Sequence, residues 1–337
     1  VADLDPESFE GLCLRTFREM RAAGITCVGE FHYFHHREPS GDGGGDYALD
    51  ERVLAAAATA GIRIALLETY YRTGAIGRPL EGAQRRFGSA SPAAFWEQMD
   101  RLRDVVDPRR QTLGAAVHSI RAAGLDDLAA VYGEARRRGL PVHIHVEEQR
   151  REIEEALAAY GKRPMELMRD VLGSAEGLTA VHCTHTEAGD LAWFLDAGGS
   201  VCVCPLTEAN LGDGLPGLDI ADAALCLGSD SNARISMLEE MRWLEYGQRL
   251  RSENRGALRD RDGRVARVLF RAATAGGARA LGIDAGRIAP DAWADFTAID
   301  LEAPTLAGWE PDTLLESLVF GAAEEAVAAT CVAGDWV

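Results

Sequence analysis

The chain has no uninterrupted apolar stretch close to the length needed to span a bilayer, and no charged-then-apolar leader at its N-terminus. A membrane partner is therefore not expected. It also lacks an excess of basic charge: with 35 Lys+Arg against 53 Asp+Glu, the formal net charge is −18. Nucleic-acid affinity comes from clustered Lys and Arg neutralising phosphates, so a nucleic-acid partner is excluded as well. The run Arg136 to Arg138 falls in a helical pattern and reads as a solvated face. No Cys-x-x-Cys pair occurs among the seven cysteines. Cys183, Cys202, Cys204 and Cys226 lie in apolar, strand-like segments, which suits buried free thiols in a reducing, cytoplasmic compartment. No internal repeat stands out. The chain starts at Val1 rather than Met, which points to processing or a missing preceding segment.

What is present is a regular alternation. Apolar residues make up 47% of the 337 and charged residues 26%, the balance of an ordinary globular protein large enough for one α/β barrel or two small domains. The opening helix has Asp5 to cap it, Pro6 in its first turn and Gly24 at its exit. Short apolar segments follow at 25–31, 62–68, 114–119, 142–146, 178–183, 200–204 and 224–228, as strands covered on both faces should be. Amphipathic stretches such as 128–138 and 187–197 separate them and end at Gly139 and Gly198. The pattern predicts a (β/α) barrel, whose chemistry lies at the C-terminal ends of its strands. An open doubly wound sheet is the rival, but it uses fewer strand tips. Beyond about Gly282 the pattern shortens to turns and small β segments, giving an expected division into a barrel over 1–281 and a small β unit over 282–337. The glycine-rich stretch Gly41 to Gly45 reads as a loop.

The predicted strand ends carry the chemistry. They read Glu30-Phe31-His32-Tyr33, Glu68-Thr69-Tyr70, His118-Ser119, His145-Val146-Glu147-Glu148, His182-Cys183-Thr184-His185 and Ser229-Asp230. Histidine and carboxylate on successive strand ends is how a barrel builds a site for a divalent metal, and imidazole with carboxylate suits zinc. His145 would hold metal while a carboxylate just beyond it moves a proton. Strand alternation alone leaves Glu147 and Glu148 both open for that role. His143 points to the other side of the strand from His145 and reads as a packed, hydrogen-bonded residue. His185 reads as a supporting, capping or surface residue, and His35 and His36 as surface residues in a loop. Cys202 and Cys204 suit barrel packing, and Trp243 and Tyr246, at helical spacing, read as core.

These tips, His-x-x-Glu, a further strand-end histidine and Ser-Asp, resemble the deaminase branch of the amidohydrolase superfamily. Four longer stretches resemble its formimidoylglutamate deiminase family, which serves histidine degradation: 28–36 (VGEFHYFHH), 142–149 (VHIHVEEQ), 207–214 (TEANLGDG) and 244–250 (LEYGQRL). The resemblance implies a (β/α)8 TIM-type barrel and the hydrolysis of N-formimino-L-glutamate to N-formyl-L-glutamate and ammonia. It implies one zinc ion, with His145 and Asp230 as metal ligands. Its spacing selects Glu148 as the proton shuttle, with His182 and Asp230 positioning the attacking hydroxide. Tyr33 and Arg121 would contact the substrate, Arg121 by pairing with a carboxylate. A homodimer is compatible with the sequence. The alternatives are a deaminase of guanine or a related purine or pterin, and a remnant that binds ligand without turnover.

The family pattern opens with a His-x-His on the first barrel strand that supplies two further ligands, and nothing before Ile25 resembles it. The seven predicted strands are then the second to the eighth. Neither His143 nor the trio His32, His35 and His36 is expected to replace the absent pair. The C-terminal β unit would be what remains of a small β-sandwich. With two unpaired barrel edges the chain is expected to be poorly stable, and with two ligands missing its metal affinity and activity are expected to be weak.

Overall fold

The computed structural model describes residues 4–39, 45–218 and 224–336, so most of the glycine-rich stretch at 41–45 lies outside the described residues. Helix α1 (Pro6–Ala22) starts where Asp5 accepts a 2.7 Å hydrogen bond from the Ser8 amide, satisfying one of the amide groups that a helix leaves unpaired at its start. Strand β1 (Cys27–His32) follows, then α2 (Asp50–Ala60), β2 (Arg63–Tyr70), α3 (Pro92–Val105), β3 (Gln111–Val117), α4 (Leu125–Arg138) and β4 (Val142–Val146). Two helices, α5 (Arg150–Tyr160) and α6 (Pro164–Leu172), lead to β5 (Leu178–His182). Helix α7 (Ala188–Asp196), β6 (Ser200–Val203), α8 (Pro205–Leu211) and β7 (Leu225–Leu227) continue the alternation. Each expected strand is therefore present. Helix α4 ends where expected, because Gly139 takes the left-handed conformation (φ 70°) that caps it without a Cβ clash.

The seven strands pair in parallel and in chain order, β1 to β7. Strands β2, β4 and β5 are buried at every position, as parallel strands between helices and a barrel interior must be. The sheet is strongly curled. Neighbouring strands lie about 4.8 Å apart, so the tips of β1 and β4 would be about 14 Å apart in a flat sheet; instead Phe31 stacks on His145 with ring centroids 4.1 Å apart. The same closure brings Asp230, just past β7, to His145 on β4. This is a TIM-type barrel wall of seven strands.

After β7 come α9 (Met237–Ser252), α10 (Val265–Arg271) and α11 (Gly277–Ala280), the last two joined by a π-helical turn at Ala272–Gly276. Gly276 is required there: a Cβ would stand 2.1 Å from the Leu225 carbonyl oxygen of β7. The C-terminal region forms a three-stranded antiparallel sheet of β8 (Phe296–Ile299), β9 (Val327–Val332) and β10 (Asp335–Trp336), with α12 (Leu314–Gly321) between β8 and β9. Two buried arginines tie this sheet to the barrel. Arg63 at the start of β2 forms a two-pronged pair with Asp295 at 2.6 and 3.0 Å, and Arg21 of α1 donates to the Thr330 hydroxyl at 3.0 and 3.2 Å.

Two expectations are corrected. His35 and His36 are fully buried rather than on the surface, because the segment after β1 folds back under α2. There His36 bonds through Nε2 to the Gly88 carbonyl and accepts from the Tyr47 amide. Trp243 and Tyr246 are not core: they are 41% and 38% exposed, and α9 instead buries Met241 and Leu244. Among the described residues, no helix is long and apolar enough to cross a membrane.

Candidate active site

The strand tips converge on one mouth of the curled sheet. His145, the fourth residue of β4, has Nδ1 2.9 Å from the His118 carbonyl oxygen, which can only accept. Nδ1 therefore carries the proton, and Nε2 is left with its lone pair for a metal, the usual way a ligating histidine is oriented. Burial, then the neighbouring His118 and His182 rings, hold its pKa well below the ordinary value, so the ring is neutral as a ligand must be. Donor atoms of His145, His182 and Asp230 lie within 4.8 Å of one another. A neutral imidazole and a carboxylate with a second imidazole beside them form a donor set of the kind that holds zinc.

His182 ends β5 and is held from behind. Its Nδ1 lies 3.2 Å from Glu208 Oε1, and that carboxylate is itself fixed by the Cys204 amide at 2.9 Å. Its Nε2 faces Glu148 Oε1 at 3.9 Å. Burial opposes the charged ring, but the Glu208 hydrogen bond and the charges of Glu148, Glu208 and Asp230 outweigh it and raise the pKa to about 9. Glu148 is half-buried; burial raises its carboxyl above the usual range, with His182 pulling it down. Glu147, the rival by alternation, is fully buried and turns away from the mouth, with the Met165 amide 3.3 Å and Arg163 3.4 Å from its carboxylate. The left-handed backbone at Glu147 (φ 51°) throws the two glutamates to different sides.

Tyr33 and Arg121 stand at the same mouth. Tyr33 packs edge-on to His118 at 5.1 Å, and burial, followed by the charge of Asp230, raises its pKa. Arg121 lies 3.8 Å from Glu148 and 3.7 Å from the buried Glu152. Burial raises the Glu152 carboxyl to about 7, against the pull of Arg121. All six residues singled out from the sequence (Tyr33, Arg121, His145, Glu148, His182, Asp230) thus meet in one place. His143 lies on the other side of β4, with Nε2 2.9 Å from the Ala280 carbonyl oxygen.

Three further residues belong to the mouth and were not singled out. His118 lies between Tyr33 and His145, its ring 5.0 Å from the latter, and burial, then Arg121, lower its pKa to about 3. Its position at a strand tip and the His-x-x-Arg spacing to Arg121 were the available signals. Glu208 and Glu152 sit on helices, and only their burial against His182 and Arg121 reveals them.

The chain is similar to known proteins over its whole length. The model of the amidohydrolase family matches residues 3–337. Formimidoylglutamate deiminase of Pseudomonas aeruginosa is 39% identical over 342 residues, covering 100% of this chain and 75% of that protein. A 5-methylthioadenosine/S-adenosylhomocysteine deaminase of Natronomonas pharaonis is 29% identical over 311 residues, covering 90% of the chain and 65% of that protein. An amidohydrolase structure from Brucella melitensis superposes with a TM-score of 0.88 at 35% identity, covering 99% of this chain and 74% of that one. An adenosine deaminase from Xanthomonas campestris with bound zinc superposes with a TM-score of 0.79 at 25% identity, covering 99% and 71%.

Proposed function

This chain belongs to the amidohydrolase family, and on that footing we propose that it hydrolyses N-formimino-L-glutamate to N-formyl-L-glutamate and ammonia, in the cytoplasm and as a homodimer. The observation that carries the substrate is the 39% identity across the whole chain to a formimidoylglutamate deiminase. The mouth supports it. A substrate with a cationic formimino group and anionic carboxylates asks for acids near the reacting carbon and a guanidinium close by, and Glu148 and Arg121 stand 3.8 Å apart.

His145 and Asp230 would hold the metal, with His182 beside them. Zinc bound there would lower the pKa of water towards neutrality and so supply a hydroxide nucleophile. Glu148 takes the proton released from water and delivers it to the departing nitrogen, a role that suits a carboxyl whose pKa burial has raised. His182, anchored by Glu208, presents its Nε2 proton to the attacking oxygen. Attack on the formimino carbon gives a tetrahedral intermediate; its bond to the terminal nitrogen breaks, ammonia leaves, the hydroxyl proton passes to the Asp230 carboxylate and the formyl group remains on glutamate. Arg121, backed by Glu152, releases its contact with Glu148 to pair with a substrate carboxylate. Tyr33 and His118, packed edge to face beside His145, position the formimino group.

Ammonia release from N-formimino-L-glutamate, guanine and 5-methylthioadenosine, with zinc supplied, tests this reading. Turnover of the formimino substrate is expected, falling about 10²–10⁴-fold in kcat for Glu148→Gln. Glu208→Gln is expected to fall about 10–100-fold, by analogy with lost partners of metal ligands. Turnover of a purine with none of the formimino substrate would move the protein to the purine branch of the family.

A further inference from the structure

Side chains on β1 alternate between two environments. Phe31 and Tyr33 turn into the mouth, against His145 and His118. His32 turns the other way, outward towards α2, and there it meets a second polar cluster that the hydrolytic site does not use. His32 Nε2 and His35 Nδ1 both reach Asp50 Oδ1, at 2.9 and 3.0 Å. Asp50 is the first residue of α2. His35 Nδ1 is also 3.3 Å from Glu68 Oε1, and Glu68 sits directly across the β1–β2 pairing from His32. All four residues are at most 3% exposed.

The protons in this cluster do not balance easily. His35 Nε2 lies 2.9 Å from the Thr69 carbonyl oxygen, which cannot donate, so Nε2 carries the proton and Nδ1 is the atom aimed at the two carboxylates. Asp50 Oδ2 accepts from Gln98 at 2.9 Å, but neither oxygen of the fully buried Glu68 accepts a well-formed hydrogen bond. A carboxylate buried in that way is costly unless a charge or donor compensates it. A dication would neutralise both carboxylates at once and leave both imidazoles uncharged.

The spacing fits such an ion. In a tetrahedral zinc site with bonds of about 2.0–2.1 Å, donor atoms lie about 3.3 Å from one another. Three donor contacts here measure 2.9, 3.0 and 3.3 Å, and all four donors lie within 4.8 Å of each other. The bond from His35 Nε2 to a backbone carbonyl is the support that ligating histidines ordinarily have. His36, next in the chain, has both ring nitrogens engaged by backbone groups and so lies outside the set.

We propose that His32, His35, Asp50 and Glu68 form a second divalent-metal site, for zinc or a similar ion, on the outer face of the barrel between β1, β2 and α2. With four protein ligands it has no open position, so it is a structural site that fastens α2 to the first two strands.

The test is metal binding, independent of turnover and of the substrate assigned above. The whole chain carrying His145→Ala and Asp230→Ala loses two donors of the mouth cluster and keeps the outer one. After equilibration with zinc and dialysis, it is expected to retain about one equivalent per chain by elemental analysis. Cobalt(II) in its place should give the intense visible bands of a tetrahedral ion. Adding Glu68→Gln should abolish both signals. Because that variant can fail through misfolding, the mouth-depleted chain decides on its own. No metal above background in it, or only weak octahedral cobalt bands, would overturn the site in favour of a cluster held by protons alone. Full retention of metal by a folded Glu68→Gln chain would overturn it as well.

Discussion

At the tips of β4, β5 and β7 the backbone turns left-handed at residues other than glycine: Glu147 (φ 51°), His182 (φ 74°), Cys183 (φ 52°) and Asp230 (φ 40°). Such conformations cost about 1–3 kcal/mol each and persist where the surroundings over-determine them. Here they aim His182, Glu148 and Asp230 inward, and sequence spacing cannot show them. Alternation left Glu147 and Glu148 equivalent until the turn between β4 and α5 separated them. Glu208 was equally hidden, because its partner His182 is far away in sequence. Glu240 offers a residue-scale prediction. It is fully buried with Oε1 unpartnered, and burial raises its carboxyl to about 8 despite the Leu206 amide. The folded state therefore holds this proton more tightly than the unfolded chain. The associated stability is complete below the unfolded value near 4.5 and is lost as pH rises towards about 8. Glu240→Gln should match the parent in urea unfolding at acid pH and exceed it by a few kcal/mol, to order of magnitude, at alkaline pH. A difference that does not change with pH would contradict this.

At the scale of elements, the strands were legible because parallel strands covered on both faces read as short apolar runs. Predicted 142–146 and observed Val142–Val146 coincide, and the other strands differ only at their ends. Helix faces were less legible. In α9, Trp243 and Tyr246 have the spacing of core residues but lie on the outer face, where Tyr246 packs on Phe320 of α12 with ring centroids 6.1 Å apart. His35 and His36 were misplaced because a loop that folds under a helix leaves no periodicity to detect. The link between barrel and C-terminal sheet was not legible at all: Arg63 and Asp295 are 232 residues apart. Both are buried, and Asp295 also accepts from the Ala333 amide at 2.8 Å. Asp295→Ala strands a buried guanidinium and should cost about 3–5 kcal/mol in denaturant unfolding. Asp335→Ala removes a half-exposed partner of Arg109 and should cost about 0–1 kcal/mol. Equal effects would mean that the two contacts do not differ in burial as described.

At the scale of the molecule, curling turns one sheet into two chemical faces. The inner face gathers His145, His182 and Asp230 at the mouth, while the outer face of β1 and β2 carries His32 and Glu68 against α2. Curvature was implied by the barrel pattern and its family likeness, but only coordinates show that residues three strands apart touch. On a chain of net charge −18, Arg121 places a guanidinium at the mouth beside Glu148, which favours one orientation of an anionic substrate. Hydrolytic deimination at that mouth is the chemistry proposed. Its most direct test is mass spectrometry of the products formed from N-formimino-L-glutamate in oxygen-18 water with zinc present. Ammonia and N-formyl-L-glutamate carrying one solvent oxygen in its formyl group are the expected products. Glutamate with formamide, or N-formyl-L-glutamate without the solvent label, would contradict it.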